Sequence, residues 1–224
     1  MGENNEGYIP KVVGIENFEG EIIHLTDYKS EQKYEGKNVL VIGSGNSGIE
    51  IVFDLSNYGS QASIVVRSSI HVLTREMVHT AMLMLKYLPV SLVDTVITKY
   101  AKFKFGNLAE LGTPQSEEGP FTVRISKGRS PVIDVGAIDK IKLGHIKVLP
   151  GISKIKEHTI VFDNGDEHQF DAIISATGYK NVATKWLKVQ WACAAGFSKR
   201  GIAGILMDAI AIVDNIKTVR GDKI

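Results

Sequence analysis

Gly36-Lys37-Asn38-Val39-Leu40-Val41-Ile42-Gly43-Ser44-Gly45-Asn46-Ser47-Gly48 decides the reading of this chain. The apolar, β-branched run predicts a buried strand over 38–42, and the glycines after it predict a tight turn into a helix. Glycine permits the turn and lets the main chain approach a phosphate closely. The helix start then offers unpaired N–H groups at a positive dipole end. Ile49, Val52, Phe53 and Leu55 share one face of a helix over 49–58, and Ala62 to Val66 predicts a second buried strand. Together these make a βαβ unit of about thirty residues. A glycine turn without a ligand is the alternative. The strand–turn–helix context favours a dinucleotide pyrophosphate cradled by Gly43, Ser44, Gly45, Asn46, Ser47 and Gly48.

Working outward, the second strand ends at Arg67, followed by Ser68 and Ser69. A site built for NAD places Asp or Glu here, to accept from the ribose 2′-hydroxyl, whereas Arg suits the 2′-phosphate of NADP. A charge-assisted hydrogen bond of this kind contributes about 1.5–3 kcal/mol. Arg67 and Ser68 are therefore the candidate 2′-phosphate ligands and NADPH the candidate cofactor, with a solvated surface arginine as the alternative.

Residues 1–36 read as irregular to extended chain, punctuated by Pro10, Gly14, Gly20 and Gly36. Residues 75–112 are helical in pattern. Met82–Ile97 is the most apolar stretch, but Lys86, Pro89 and Asp94 interrupt it, so it predicts two short helices broken at Pro89. Core or domain-interface packing is the favoured reading of its apolar residues, with contact at a membrane surface as the alternative. Residues 113–131 read as a surface loop. Ile146–Leu149 and Thr159–Phe162 predict strands, Asn164-Gly165 a hairpin turn, and Phe170–Ala176 an apolar strand ending in Thr177-Gly178-Tyr179. The tail from Gly201 to Ile216 has helical spacing at Ile205, Ala209, Ile212 and Ile216.

The bulk numbers restrict the partners. Hydrophobic residues make up 44% of the 224-residue chain and charged residues 23%, as in ordinary globular proteins. A net charge of +1 and the lack of a basic run argue against nucleic acid. No run of eighteen apolar residues exists for a membrane span, and the polar, acidic start from Met1 to Pro10 does not read as a secretory leader. Cys193 is the single cysteine, which predicts a reducing, cytoplasmic setting. No nucleophile elbow, P-loop or His-Glu-x-x-His is present. Tyr100-x-x-x-Lys104 has the spacing of a short-chain dehydrogenase pair but lies too near the glycine loop. A cofactor site without an evident acid, base or nucleophile suits an enzyme whose cofactor carries the chemistry.

Three segments together resemble the class B flavin-containing monooxygenases: Phe18-x-Gly20-x-x-x-His24-x-x-x-Tyr28, the Gly43–Gly48 loop, and Ala176-Thr177-Gly178-Tyr179. Val66–Leu73, Pro131–Gly136, Ile146–Ile152 and Gly196–Gly201 are similar to the plant YUCCA branch of that family. The resemblance implies an α/β fold: a Rossmann-like NADPH-binding domain of a flavoprotein with two dinucleotide-binding domains. It also implies NADPH and FAD as cofactors, and O2 and a keto acid such as indole-3-pyruvate as reactants, with oxidative decarboxylation to indole-3-acetate in auxin biosynthesis. Thr177 and Gly178 would sit where the two cofactor domains meet, His24 would shape the link, and Arg200 would approach the flavin. No catalytic residue and no metal ligand is expected.

Family members carry an earlier glycine loop for FAD far upstream, and none precedes Gly43 here. Residues 1–35 are therefore expected to be an interdomain link, 36–178 the NADPH-binding domain, and 179–224 a remnant of the FAD-binding domain. The main FAD-binding half is expected to be missing, and the Trp186–Ala195 segment shortened. A silent NADPH-binding module that pairs with a full-length relative, or a fragment without function, is the alternative to an active monooxygenase.

Overall fold

The computed structural model describes residues 4–114, 116–181, 209, 210, 212 and 213. The chain divides into two compact units, Glu6–Lys180 and a second comprising Met1–Asn5 with Asn181–Ile224. In the second unit Ala209, Ile210, Ile212 and Val213 are helical. Ile205, Ile216, Arg200 and the Trp186–Ala195 segment lie outside the described residues.

Chain order runs β1 (Asn4–Gly7), β2 (Glu21–His24), β3 (Asn38–Ile42), α1 (Asn46–Asn57), β4 (Gln61–Val65) and β5 (Val72–Leu73). It continues with α2 (Arg75–Met84), α3 (Val90–Phe105), α4 (Pro120–Lys127), β6 (Val132–Ile133), α5 (Ala137–Lys142) and β7 (Ile146–Leu149). Then come β8 (Ile152–Ile155), β9 (Thr159–Phe162), β10 (Glu167–Gln169), β11 (Ala172–Ser175) and β12 (Tyr179–Asn181). The central sheet has the order β2-β11-β3-β4-β7 and is parallel throughout. Such a sheet must be covered on both faces, and the sequence alternates accordingly. Val39 and Val41 of β3 face a core shared with Ile49, Val52 and Leu55 of α1. Leu40 and Ile42 face a second core with Ile155, Ile160 and Phe162. That second layer is not helical: β8-β9-β10 form an antiparallel meander. The turn at Asn164-Gly165 closes its hairpin, with Gly165 at a φ of 87°.

The expected strand–helix–strand unit is present, and the helices break at Pro89, which caps α3. One expectation becomes more specific and one needs correction. The extended segment before residue 36 contributes β2, which pairs with β11 as an edge strand of the main sheet. Residues 113–131 are not all loop, because Pro120–Lys127 is helical. No side chain of its own caps α4. The buried Asp94 of α3 does so instead, accepting from Phe121 N (2.8 Å), Thr122 N (2.9 Å) and Thr122 Oγ1 (2.6 Å). Gly119 allows the approach, since a Cβ there would lie 2.2 Å from Asp94 Cγ.

Burial of the apolar faces alone accounts for only part of α2 and α3. Met77, Ala81, Val93, Ile97 and Phe105 enter the core, while Met82, Leu83, Leu92 and Val96 stay exposed. Core packing, the favoured reading of Met82–Ile97, therefore covers one side of the hairpin. No helix among the described residues is long and apolar enough to cross a membrane.

Asp94→Ala removes three hydrogen bonds at a buried helix start, so urea unfolding should report a loss of about 1–3 kcal/mol. Limited proteolysis should cut first near α4. An unchanged midpoint would show that α4 needs no cap from α3.

Candidate functional site

In an open parallel sheet, ligands bind beyond the carboxyl ends of the strands where the strand order reverses. Here the chain leaves β3 for β4 on one side, and β11 later inserts on the other. A cleft of about 840 Å³ lies there, lined among others by Gly43, Ser44, Gly45, Asn46, Ser47, Arg67, Ser68, Thr177 and Gly178. Nine of the ten residues singled out from the sequence thus line it, and the tenth, Gly48, is buried. Another cleft, of about 680 Å³, lies at the opposite end of the strands against Asn38, Gln61 and Lys147, away from the glycine loop.

The three glycines do different work. Gly43 has a φ of 118°, and a Cβ on it would lie 2.5 Å from Ala176 O. A Cβ on Gly48 would lie 1.8 Å from Gly43 O, so this glycine lets α1 sit directly on the loop. Gly45 is exposed, has ordinary backbone angles, and nothing lies within 4 Å of its Cβ position. That open space is on the cleft side, where a phosphate would come close. No side chain caps α1 and no acidic residue occupies its first turn, so its positive end stays uncompensated. Asn46 is held aside, its Oδ1 accepting from Ile133 N at 2.7 Å.

Arg67 follows β4 on the exposed rim and, among the described residues, makes no ion pair. Its stem runs beside Gly151, where a Cβ would lie 3.6 Å from Arg67 Cγ and 2.1 Å from Asp163 Oδ2. Arg129 and Asp163 also line the cleft. Sequence reasoning missed both, because β6 and the meander bring them from distant stretches of chain. The Gly128-Arg129-Ser130-Pro131 turn ahead of β6 was the available signal.

The corner at Thr177-Gly178 is tied down by main-chain and side-chain bonds. Buried His24 places Nε2 at 3.0 Å from Gly178 O, so Nε2–H donates and Nδ1 is left to accept from Thr26 N at 3.3 Å. Its ring meets the Tyr179 ring edge-on at 5.1 Å. Thr177 Oγ1 bonds to Tyr8 O and to Ser175 Oγ (2.8 Å), and Tyr8 N donates to Gly178 O at 3.1 Å. The Thr177 hydroxyl therefore holds the corner itself. Tyr28, the last residue of the His24 motif, donates to Asp54 Oδ2 of α1 at 3.1 Å, and burial raises its pKa. The stacked neighbour Tyr34 is pushed up to about 12 by burial and by Glu21.

His71 also reaches the cleft, and its Nε2 is buried without a partner among the described residues. Burial lowers its pKa, and the Glu118 backbone and the Asp94 carboxylate oppose that shift only in part. The arrangement as a whole can bind and orient an extended, phosphate-bearing dinucleotide.

Comparison with known proteins identifies the family of the chain. The family described as flavin-binding monooxygenase-like matches residues 2–184. The probable indole-3-pyruvate monooxygenase YUCCA10 of Arabidopsis thaliana is 42% identical over 241 residues, covering 97% of this chain and 63% of the relative. The indole-3-pyruvate monooxygenase YUCCA6 of the same plant is 41% identical, with 96% and 58% covered. YUCCA4 of Oryza sativa subsp. japonica is 39% identical, with 96% and 55% covered. The chain thus spans about three fifths of the length of the curated relatives it matches. Among solved structures, an oxidized steroid monooxygenase bound to NADP gives a TM-score of 0.62 at 17% identity, covering 82% of this chain and 46% of that one. A flavin-containing monooxygenase from Stenotrophomonas maltophilia gives 0.58 at 15% identity, covering 98% and 60%. At such identities the likeness is one of fold.

Two measurements test the site's construction. Gly45→Ala should leave the unfolding midpoint nearly unchanged yet weaken dinucleotide binding at least about tenfold, since the methyl group enters the open space. Gly48→Ala should destabilise the whole unit; equal behaviour of the two variants would contradict these separate roles. The lowered pKa of His71 has a definite sign. Above its ordinary value of 6.5 both folded and unfolded chains hold it neutral, and it is without effect on stability. As pH falls below that value the unfolded chain takes up the proton first, so stability drops. Unfolding curves between about pH 7.5 and 5.5 should record the loss, and His71→Gln should flatten it.

Proposed function

The chain belongs to the flavin-binding monooxygenase-like family, and on that premise we propose that it is the nicotinamide-binding part of an NADPH- and FAD-dependent monooxygenase. One observation carries the reading: the glycine loop, the uncapped start of α1 and Arg67 share one cleft. The open position at Gly45 fits a pyrophosphate, taken by the N–H groups of the Ser44–Gly48 turn. Arg67 and Ser68 hold the 2′-phosphate. NADPH, when bound, supplies the hydride for flavin reduction. The chain's own residues bind and orient it. Thr177 and Gly178 form the corner at which the nicotinamide and flavin sites meet, and His24 keeps that corner from moving. The names of the relatives support indole-3-pyruvate as substrate, with O2 as oxidant and indole-3-acetate as product. The single Cys193 suits a cytoplasmic setting.

The same proposal assigns residues 1–35 to the link, 36–178 to the nicotinamide domain with β2 as its added edge strand, and 179–224 to the flavin domain. A second reading keeps the cofactor and drops the turnover. In that reading the chain binds NADPH without turnover of its own and pairs with a full-length relative.

Titration calorimetry with NADPH and NADH tests the cofactor. NADPH should bind more tightly, and Arg67→Ala should erase a preference of roughly tenfold to a hundredfold; equal affinities in the unaltered chain would overturn the assignment. Adding FAD, indole-3-pyruvate and air, and assaying indole-3-acetate, separates the active enzyme from the silent module.

A further inference from the structure

The α2–α3 hairpin carries a second apolar face that the core does not use. Leu92, Val96, Tyr100 and Phe103 recur at helical spacing along α3, and all are exposed. Met82 and Leu83 at the end of α2, and Tyr87 in the turn, extend the same hairpin. Tyr87 is 86% and Phe103 88% exposed. Scattered exposed apolar residues need no explanation, but a continuous group on one hairpin marks a contact surface.

Charge identifies the occupant. Between Met77 and Phe105 the charged residues are Lys86, Lys99, Lys102, Lys104 and Asp94. Asp94 is buried and holds the start of α4. The four lysines are exposed and form no ion pair among the described residues. The stretch from Met77 to Phe105 thus carries four lysines against one aspartate, a local net of +3, where the chain as a whole carries only +1. A second copy seated on this face about a two-fold axis would bring lysine against lysine. A surface that offers apolar depth and negative charge together is an anionic lipid bilayer. Lysine stems then lie along the apolar layer with their ammonium groups at the headgroups, and tyrosine spans the boundary. α3 has 16 residues, too few to span, which leaves it lying in the surface plane.

We propose that the α2–α3 hairpin docks this chain on an anionic membrane surface through Tyr87, Leu92, Val96, Tyr100 and Phe103, with Lys86, Lys99, Lys102 and Lys104 at the headgroups. This holds independently of the cofactor reading. The test is flotation of the full chain with vesicles of phosphatidylcholine alone or mixed with phosphatidylserine. The chain should float with the mixed vesicles, much less with the neutral ones, and added salt should weaken the association. Tyr87→Asp with Phe103→Asp should reduce binding at least about tenfold, and Lys99→Glu with Lys102→Glu should remove its salt dependence. Circular dichroism and NADPH titration of the variants verify that the fold and the cleft persist. Failure to float with phosphatidylserine vesicles, or flotation unaffected by either pair, would overturn the proposal. So would a solution dimer that Phe103→Asp separates, which would assign the face to a second copy.

Discussion

Two main-chain carbonyls govern the architecture of the cleft. Gly43 O lies where a side chain on Gly48 would be, and Ala176 O lies where one on Gly43 would be. Helix α1 therefore begins directly on the end of β3, and β11 ends directly against that beginning. The crowding leaves the helix's N–H end facing the cleft instead of a capping side chain. A dinucleotide pyrophosphate needs such an end. Chain direction adds the rest, since the next strand in sequence is also the next in space and delivers Arg67 to the same rim.

The sheet's two faces solve different problems. Helices cover one face, and α1 supplies both apolar packing and the charged end of its dipole. The other is covered by a meander, whose strands bury Ile155, Ile160 and Phe162 against Leu40 and Ile42. The meander also carries the chain from β7 across the sheet to β11. β2 then closes the edge, and its last residue, His24, reaches the carbonyl of Gly178. The Phe18–Tyr28 motif is thus a set of packing and hydrogen-bonding positions. Phe18 enters the meander core, Gly20 clears Asp171 O, His24 pins the corner, and Tyr28 ties the strand's exit to α1. In that account His24 is a positioning residue.

The α2–α3 hairpin combines the same forces differently. Its buried stripe at Val93 and Ile97 anchors it to the body of the domain, and Asp94 between them reaches out to organise α4. The next stripe around the helix is apolar too, but nothing in the larger unit covers it. A helix with apolar residues over so wide an arc carries more hydrophobic surface than one interface requires.

Much of the fold was readable from local pattern, because local chemistry enforces it. Glycine spacing after an apolar run marked the strand, turn and helix, Pro89 marked the break between helices, and Asn164-Gly165 marked the hairpin. Seven of the ten candidate site residues line one cleft for the same reason: the βαβ unit is short, and its parts cannot separate far; Thr177 and Gly178 join them only because β11 pairs with β3. Other features needed the folded chain. β2 has little identity until β11 lies beside it, since an edge strand takes its hydrogen bonds from a partner about 150 residues away. Helix α4 looks like a loop because its cap, Asp94, belongs to another helix. Arg129 and Asp163 reach the cleft only through tertiary packing, and Gly48 shows its role only when Gly43 O occupies the space a side chain would need. Residue order alone settled which groups lie along one strand or one helix turn, because covalent geometry carries that information. Which distant groups share a wall was settled by packing, through contacts that exist only when the strands have paired.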